Sequence, residues 1–183
     1  MPPNVRLRDL EFAVTLAPDA IAAKVRELGA VLRERFRENP ASTPPIFLAV
    51  LRGAAVFHAD LIRAYDGELE IGFLRTASYV GTESSGEVAV DLPDDLALAG
   101  RDVVLVEDIA DSGRTLRVLA EALRTRGVAS VTTVVLLDKP TARVVDVGVD
   151  LAGFTIGPGF VVGYGLDYDG LGRNLPAIYT RVG

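Results

Sequence analysis

The sequence contains no cysteine and a single histidine. Disulfides and thiolate chemistry are therefore excluded, and a zinc site would have only His58 and carboxylates to draw on. A basic excess is also missing: 19 Lys and Arg against 25 Asp and Glu leave a net charge of −6. That argues against a nucleic-acid binder, whose footprint is a basic patch. No apolar run is long enough to span a bilayer, and residues 1–6 lack the apolar core of a signal peptide, so the expected location is the cytoplasm, away from membranes. No internal repeat or low-complexity tract interrupts the chain. What remains is 183 residues, 49% apolar and 24% charged, the composition of one globular domain with a substantial core.

Residues 18–39 place Ile21, Val25, Leu28, Val31, Leu32 and Phe36 at helical spacing, with Asp19 as N-cap and Asn39-Pro40 as stop. Residues 46–51 read as a strand buried on both faces, followed by Arg52-Gly53 and a helix over about 54–65. A further strand is expected over 69–79, then a polar, glycine-flanked segment at 81–86, then a short strand at 88–90. Four aliphatic residues at 103–106 make another buried strand, and 131–137 one more, with a helical pattern between them ending near Gly127. Shorter strand-like pieces lie at 151–155 and 160–165. The alternation predicts an α/β fold with a central, mainly parallel sheet flanked by helices. In such sheets ligands bind beyond the carboxyl ends of the strands. Arg52-Gly53, Ser78-Tyr79, residues 107–115 and Asp138-Lys139 all fall there, so four segments converge on one rim.

The stretch Glu107-Asp108-Ile109-Ala110-Asp111-Ser112-Gly113-Arg114-Thr115 carries the strongest chemical signal. A strand, a glycine-containing turn and a helix start present free N–H groups and the positive helix end to an anion. Three carboxylates beside a phosphate cradle require hydroxyls or a cation to accompany the phosphate. A sugar phosphate with a bound metal satisfies all of them.

These residues resemble the phosphoribosyl-pyrophosphate (PRPP) motif of type I phosphoribosyltransferases. Val50-Leu51-Arg52-Gly53-Ala54, Ser78-Tyr79, Leu136-Leu137-Asp138-Lys139-Pro140, residues 160–168 and Arg173-Asn174-Leu175-Pro176 narrow the resemblance to the hypoxanthine (–guanine) branch. It covers nearly the whole chain in order. It implies the type I phosphoribosyltransferase fold, a core at about 40–150, a small hood from about 1–17 and 151–183, and a mobile lid at about 78–88 that includes Ser78 and Tyr79. The implied reaction is purine salvage, in which ribose 5-phosphate passes from PRPP to N9 of hypoxanthine or guanine with release of pyrophosphate. Its transition state resembles an oxocarbenium ion, so geometry and charge matter more than a nucleophile.

By this resemblance Asp111, Ser112, Gly113, Arg114 and Thr115 hold the 5-phosphate, and Asp111 is the general acid/base at purine N7. Glu107 and Asp108 face the ribose hydroxyls, directly or through Mg²⁺. Lys139 donates to the oxygen at C6 and so selects 6-oxopurines over adenine. Phe160 stacks on the base, Val161 meets the purine edge through its main chain, and Asp167 beside the base reaches a second Mg²⁺. Arg52, Gly53 and Arg173 bind pyrophosphate, with a non-proline cis peptide at the Arg52-Gly53 position. His58, Tyr164 and Tyr168 are expected to be structural. The family is usually a homodimer or homotetramer. Two rivals stand beside this reading: a phosphoribosyltransferase preferring xanthine or guanine, and a non-catalytic PRPP or nucleotide sensor. Gly170-Leu171-Gly172 before Arg173 and Ala77 before Ser78 depart from the common bacterial pattern.

Overall fold

A computed structural model describes residues 4–37, 43–78, 88–93 and 96–183. Its first two elements are the antiparallel strands β1 (Asn4–Leu7) and β2 (Leu10–Leu16), joined through Arg8-Asp9. The helix α1 (Pro18–Arg37) follows, and buries Ile21, Val25, Leu28 and Leu32 from the stripe its spacing predicts. Strand β3 (Ile46–Leu51) is almost wholly buried and leads through a tight turn into α2 (Ala55–Ala64). Strand β4 (Glu70–Ser78) pairs antiparallel with β5 (Val88–Asp91). The expected segment at 81–86 and Tyr79 lie outside the described residues.

Strand β6 (Asp102–Ala110) then runs past its aliphatic core through Glu107, Asp108, Ile109 and Ala110, and α3 (Arg114–Thr125) packs its Leu116, Leu119 and Leu123 inward. Strand β7 (Ser130–Asp138) and β8 (Leu151–Thr155) complete the large sheet, while β9 (Val161–Val162) and β10 (Ile178–Arg181) return to β2. The six-stranded sheet has the order β5-β4-β3-β6-β7-β8, parallel except for β5. The four-stranded sheet, β1-β2-β10-β9, forms the hood from the two ends of the chain.

The order reverses between β3 and β6, because β3 continues to β4 on one side and β6 continues to β7 on the other. Right-handed crossovers in opposite directions place helices on opposite faces. One core cluster accordingly lies under α1 and α2, around Phe47, Val104 and Leu136, and a second under α3, around Leu48, Leu105 and Leu119. Such a switch point opens a crevice between the carboxyl ends of the two diverging strands. The ends are Arg52-Gly53 on β3 and residues 107–111 on β6.

Several sequence expectations shift. The acids 107 and 108 stand on β6 itself, because Glu107 pairs with Val135 and Ile109 with Leu137 and so extend the ladder through them. Residues 151–155 join the large sheet beside β7 rather than the hood. Of 160–165 only two residues are strand, since the following three adopt left-handed φ and turn the chain. The non-proline cis peptide is Leu51–Arg52, one bond before Arg52-Gly53. No helix among the described residues is long and apolar enough to cross a membrane.

Candidate active site

The centre of the site is the end of β6 and the start of α3. Gly113 takes φ +83 and ends the turn, and no side chain caps α3. Its leading N–H groups therefore have no intrahelical acceptor, and only that of Arg114 meets a side chain, Ser112 Oγ at a long 3.4 Å, the arrangement that binds a phosphate. They open on a cavity of about 220 Å³ lined by Glu107, Asp111, Ser112, Gly113, Thr115 and Leu116 among others. The cradle is braced from behind: the N–H groups of Val144 and Val145 both donate to the Ser112 carbonyl, at 3.0 and 3.1 Å. A Cβ at Gly113 would stand 2.7 Å from the Val145 carbonyl oxygen, so the turn is seated tightly against this segment. Arg114, by contrast, points to solvent and does not line the cavity.

Lys139 follows β7 and is tied to the end of β6 by its N–H bond to the Ala110 carbonyl. Its ammonium lies 3.9 Å from Asp111 Oδ2, and the lysine is 8% exposed while the Asp111 side chain is more than half open. An ion pair with one such open partner contributes little stability. Both groups are therefore free to exchange each other for substrate. Asp138, next in sequence, pairs with Arg143 in a half-buried ion pair.

Glu107 and Asp108 reach different neighbours, although their carboxyls stay within hydrogen-bond reach of each other. Successive strand residues face opposite sides of a sheet. Glu107 turns to the phosphate cavity, where burial and the neighbouring Asp108 charge push its carboxyl well up from the ordinary range. Its Oε2 is buried and has no hydrogen-bond partner. Asp108, 9% exposed, turns to the other side and lies over Gly53, where a Cβ would stand 1.6 Å from its Oδ2. Burial raises this carboxyl too, while the Ile109 N–H and the Arg173 charge hold it down.

The hood supplies the opposite wall. Phe160 is 46% exposed and lies beside Phe12 and Tyr168, with ring centroids 6.2 and 6.0 Å away, so its face remains available for stacking. Val161 is buried and pairs with Thr180 of β10. Arg173 is already engaged. It reaches Asp167 Oδ1 at 2.5 Å and donates to the Gly165 carbonyl at 2.6 Å. Asp167 Oδ2 in turn accepts from the Gly170 N–H. Arg52 is exposed beside Gly53, and His58 is buried with its ring on the Phe47 carbonyl. Ser78 ends β4, and its side chain lies outside the description, as does Tyr79.

The donor set bears on a metal. Among the described residues no three His, Cys, Asp or Glu side chains come together as a cage. Magnesium does not need one, since it is commonly held by one or two carboxylates and completed by substrate oxygens and water. The unpartnered Glu107 oxygen beside the Asp108 carboxyl fits that demand, since a cation would relieve their mutual repulsion and displace the proton that Glu107 otherwise holds. Sequence reasoning did not find Asp60, whose carboxylate accepts from the Tyr164 hydroxyl, or the bracing segment at 143–147. Neither carries a local motif.

Residues 17–169 match the phosphoribosyl transferase domain family. The chain is 46% identical over 166 residues to the hypoxanthine-guanine phosphoribosyltransferase of Lactococcus lactis subsp. lactis, covering 90% of this chain and 88% of that one. Its fold superposes on the crystal structure of a Staphylococcus aureus hypoxanthine phosphoribosyltransferase with a TM-score of 0.84 at 40% identity, covering 92% and 90% of the two chains. A structure of Trypanosoma cruzi hypoxanthine phosphoribosyl transferase, concerned with how its C-terminal region affects oligomeric state and activity, gives a TM-score of 0.88 at 31% identity over 97% and 95%.

Proposed function

This chain belongs to the phosphoribosyl transferase domain family, and we propose that it transfers the 5-phosphoribosyl group from PRPP to N9 of hypoxanthine and guanine, giving IMP and GMP with release of pyrophosphate. The observation that carries this reading is the placement of Lys139 and Asp111 together, 3.9 Å apart, at the ends of adjacent parallel strands. On a 6-oxopurine O6 and N7 lie side by side on one edge, close enough for one bidentate side chain to span them. A donor for O6 and a carboxyl for N7 must therefore be neighbours, and these are. An adenine would present its exocyclic amino group to the Lys139 ammonium, donor against donor.

The roles follow from position. The α3 N–H groups with Ser112 and Thr115 hold the 5-phosphate. Glu107 faces the ribose side of the same cavity. Phe160 stacks on the base from the hood, and Asp111 holds or moves the N7 proton as N9 takes the ribose. Arg52, the Gly53 turn and Arg173 hold pyrophosphate, for which Arg173 exchanges Asp167 for the substrate. Glu107, with Asp108 behind it and Asp167 on the pyrophosphate side, would hold Mg²⁺, which neutralises charge on the departing pyrophosphate when bound. The remaining work of the site is orientation and exclusion of water. The protein is further proposed to act in the cytoplasm as a homodimer or homotetramer.

The test is an assay of purified protein with PRPP and Mg²⁺ against hypoxanthine, guanine, xanthine and adenine, read as nucleotide formed. IMP and GMP are expected and AMP is not. Failure to form a nucleotide from any 6-oxopurine refutes the reading.

A further inference from the structure

Tyr164 has a task that core packing does not explain. It is 7% exposed, with its ring in the cluster under α1 and α2, and a phenylalanine ring would fill that space equally well. Its hydroxyl instead donates to Asp60 Oδ2 on α2. A buried hydroxyl costs stability unless it is partnered, and Asp60, half-exposed and also paired with Arg63, supplies that partner and so specifies where the ring sits. Burial and the Asp60 charge push the Tyr164 hydroxyl far up, which keeps it a donor.

The two residues belong to the two ligand-binding segments. Asp60 sits on α2, the helix that begins two residues after Gly53, so the helix and the pyrophosphate turn move as one body. Tyr164 lies three residues beyond Val161, the second of the two proposed purine contacts on this segment, Phe160 and Val161. It holds φ +49, a left-handed conformation that a tyrosine keeps only where its surroundings impose it. Those surroundings are the Tyr164 N–H bond to the Leu175 carbonyl at 2.8 Å, the Gly165 N–H bond to the Arg173 carbonyl at 3.0 Å, and the hydroxyl on Asp60. At Gly165 the hood backbone meets the turn directly, since a Cβ there would be 2.1 Å from the Gly53 carbonyl oxygen. Arg173 donates to the Gly165 carbonyl from the same side. Base segment and pyrophosphate turn are therefore in backbone contact, and one polar side-chain pair sets their relative position.

We propose that Asp60 and Tyr164 are a positioning pair that couples pyrophosphate binding at the Arg52-Gly53 turn to purine binding at Phe160 and Val161. The inference rests on the proposed transferase reading and adds residues that touch neither substrate. Pyrophosphate that draws Arg52, Gly53 and Arg173 into place moves α2 and the Gly165 carbonyl, and the Tyr164–Asp60 bond carries that shift to the base wall. By linkage the purine must act back on pyrophosphate to the same degree.

Hypoxanthine and pyrophosphate cannot react without ribose, so their coupling is measurable at equilibrium. Calorimetric titration of hypoxanthine, with and without magnesium pyrophosphate, should show at least about fivefold tighter binding in its presence, the lower end of ordinary coupling. A base that binds only with pyrophosphate present is the same result in its strongest form. Tyr164→Phe and Asp60→Ala should bring the ratio close to one, while Asp60→Asn, whose carbonyl still accepts from the hydroxyl, should keep most of it. Thermal unfolding of each variant establishes that it is folded. A ratio near one in the unmutated protein, or one unchanged in Tyr164→Phe, overturns the coupling and leaves the transferase reading standing. Absence of hypoxanthine binding in every condition, with no nucleotide formed in the assay, overturns both.

Discussion

Replacing Gly165 by alanine should damage the protein through one contact. The residue has φ +105, and an added Cβ would stand 2.1 Å from the Gly53 carbonyl oxygen and 3.3 Å from its carbon, with Val56 Cβ beyond at 3.8 Å. The obstacle is backbone on a turn that is itself pressed against Asp108, so it cannot swing away as a flexible side chain would. Two costs combine. A side chain held at positive φ costs about 1–3 kcal/mol, and forced overpacking against a fixed neighbour roughly 1–3 kcal/mol more. The sum, about 2–6 kcal/mol, is a large part of the 5–15 kcal/mol that holds a domain together. For a chain of this size each kcal/mol lowers the melting temperature by about 2–4 °C, giving a loss of roughly 4–24 °C in a calorimetric scan. Gly127→Ala is the control. Its φ is +73, but nothing lies within 4 Å of the added Cβ, so it pays the dihedral cost alone. Equal melting shifts in the two variants, with pyrophosphate binding unchanged, would show that the hood and the Arg52-Gly53 turn do not touch as described. If the protein instead yields by moving the hood, Gly165→Ala should melt near the control yet bind pyrophosphate more weakly. A Gly165→Ala variant that shows neither a larger melting loss than the control nor weaker pyrophosphate binding refutes the reasoning outright.

Three further outcomes follow from the site. Asp111→Asn should lower kcat by about 10²–10⁴, the usual share of a positioned acid/base, while PRPP affinity by titration changes far less; equal losses in both would remove the acid/base role. Lys139→Gln should lower kcat/KM for hypoxanthine by about 10- to 150-fold, the value of a charged hydrogen bond left unmade, and unchanged discrimination between hypoxanthine and adenine would mean that another group reads C6. Glu107 predicts a pH effect of definite sign. Its proton is held more tightly folded than unfolded, so between the ordinary glutamate value of about 4.3 and the raised folded value the native state carries the extra proton. Stability of the unliganded protein therefore falls as pH rises through that window. Glu107→Gln should flatten that fall in denaturant unfolding measured across pH, and should also weaken Mg²⁺-dependent PRPP binding. A slope identical to that of the unmutated protein would show that Glu107 titrates normally.

The buried strands were readable because parallel strands covered on both faces become continuous aliphatic runs, as at 46–51 and 103–106. The first helix was readable from its apolar stripe, and the rim from the residues that follow each run. The hood was not. β1 and β2 are joined through Arg8-Asp9, with Arg8 at φ +52, and a turn without glycine or asparagine gives no hairpin signal. β9 and β10 are two and four residues long and find their partners across the chain, with no local pattern to mark them. Arg173 and Asp167 were visible as charges. That they would satisfy each other depends on a loop of left-handed residues whose path only the fold shows.

The limit of sequence reading is clearest at Glu107 and Asp108. Adjacent in the chain, they invite one shared task at the ribose. Because β6 continues through them instead of ending before them, strand alternation gives them different neighbours while their carboxyls stay within hydrogen-bond reach of each other. Glu107 enters the cavity at the head of α3, and Asp108 fills the space above Gly53. The second placement explains the glycine: the carboxylate stands where any side chain at position 53 would begin. On the proposed reading, one strand thus gives an acid to the phosphate side and another to the pyrophosphate turn, the two ends of PRPP between which the reacting carbon must lie. The spacing of the two acids is set by the rise of a strand rather than by the reach of flexible side chains. A transferase that relies on geometry more than on a nucleophile needs that kind of rigidity.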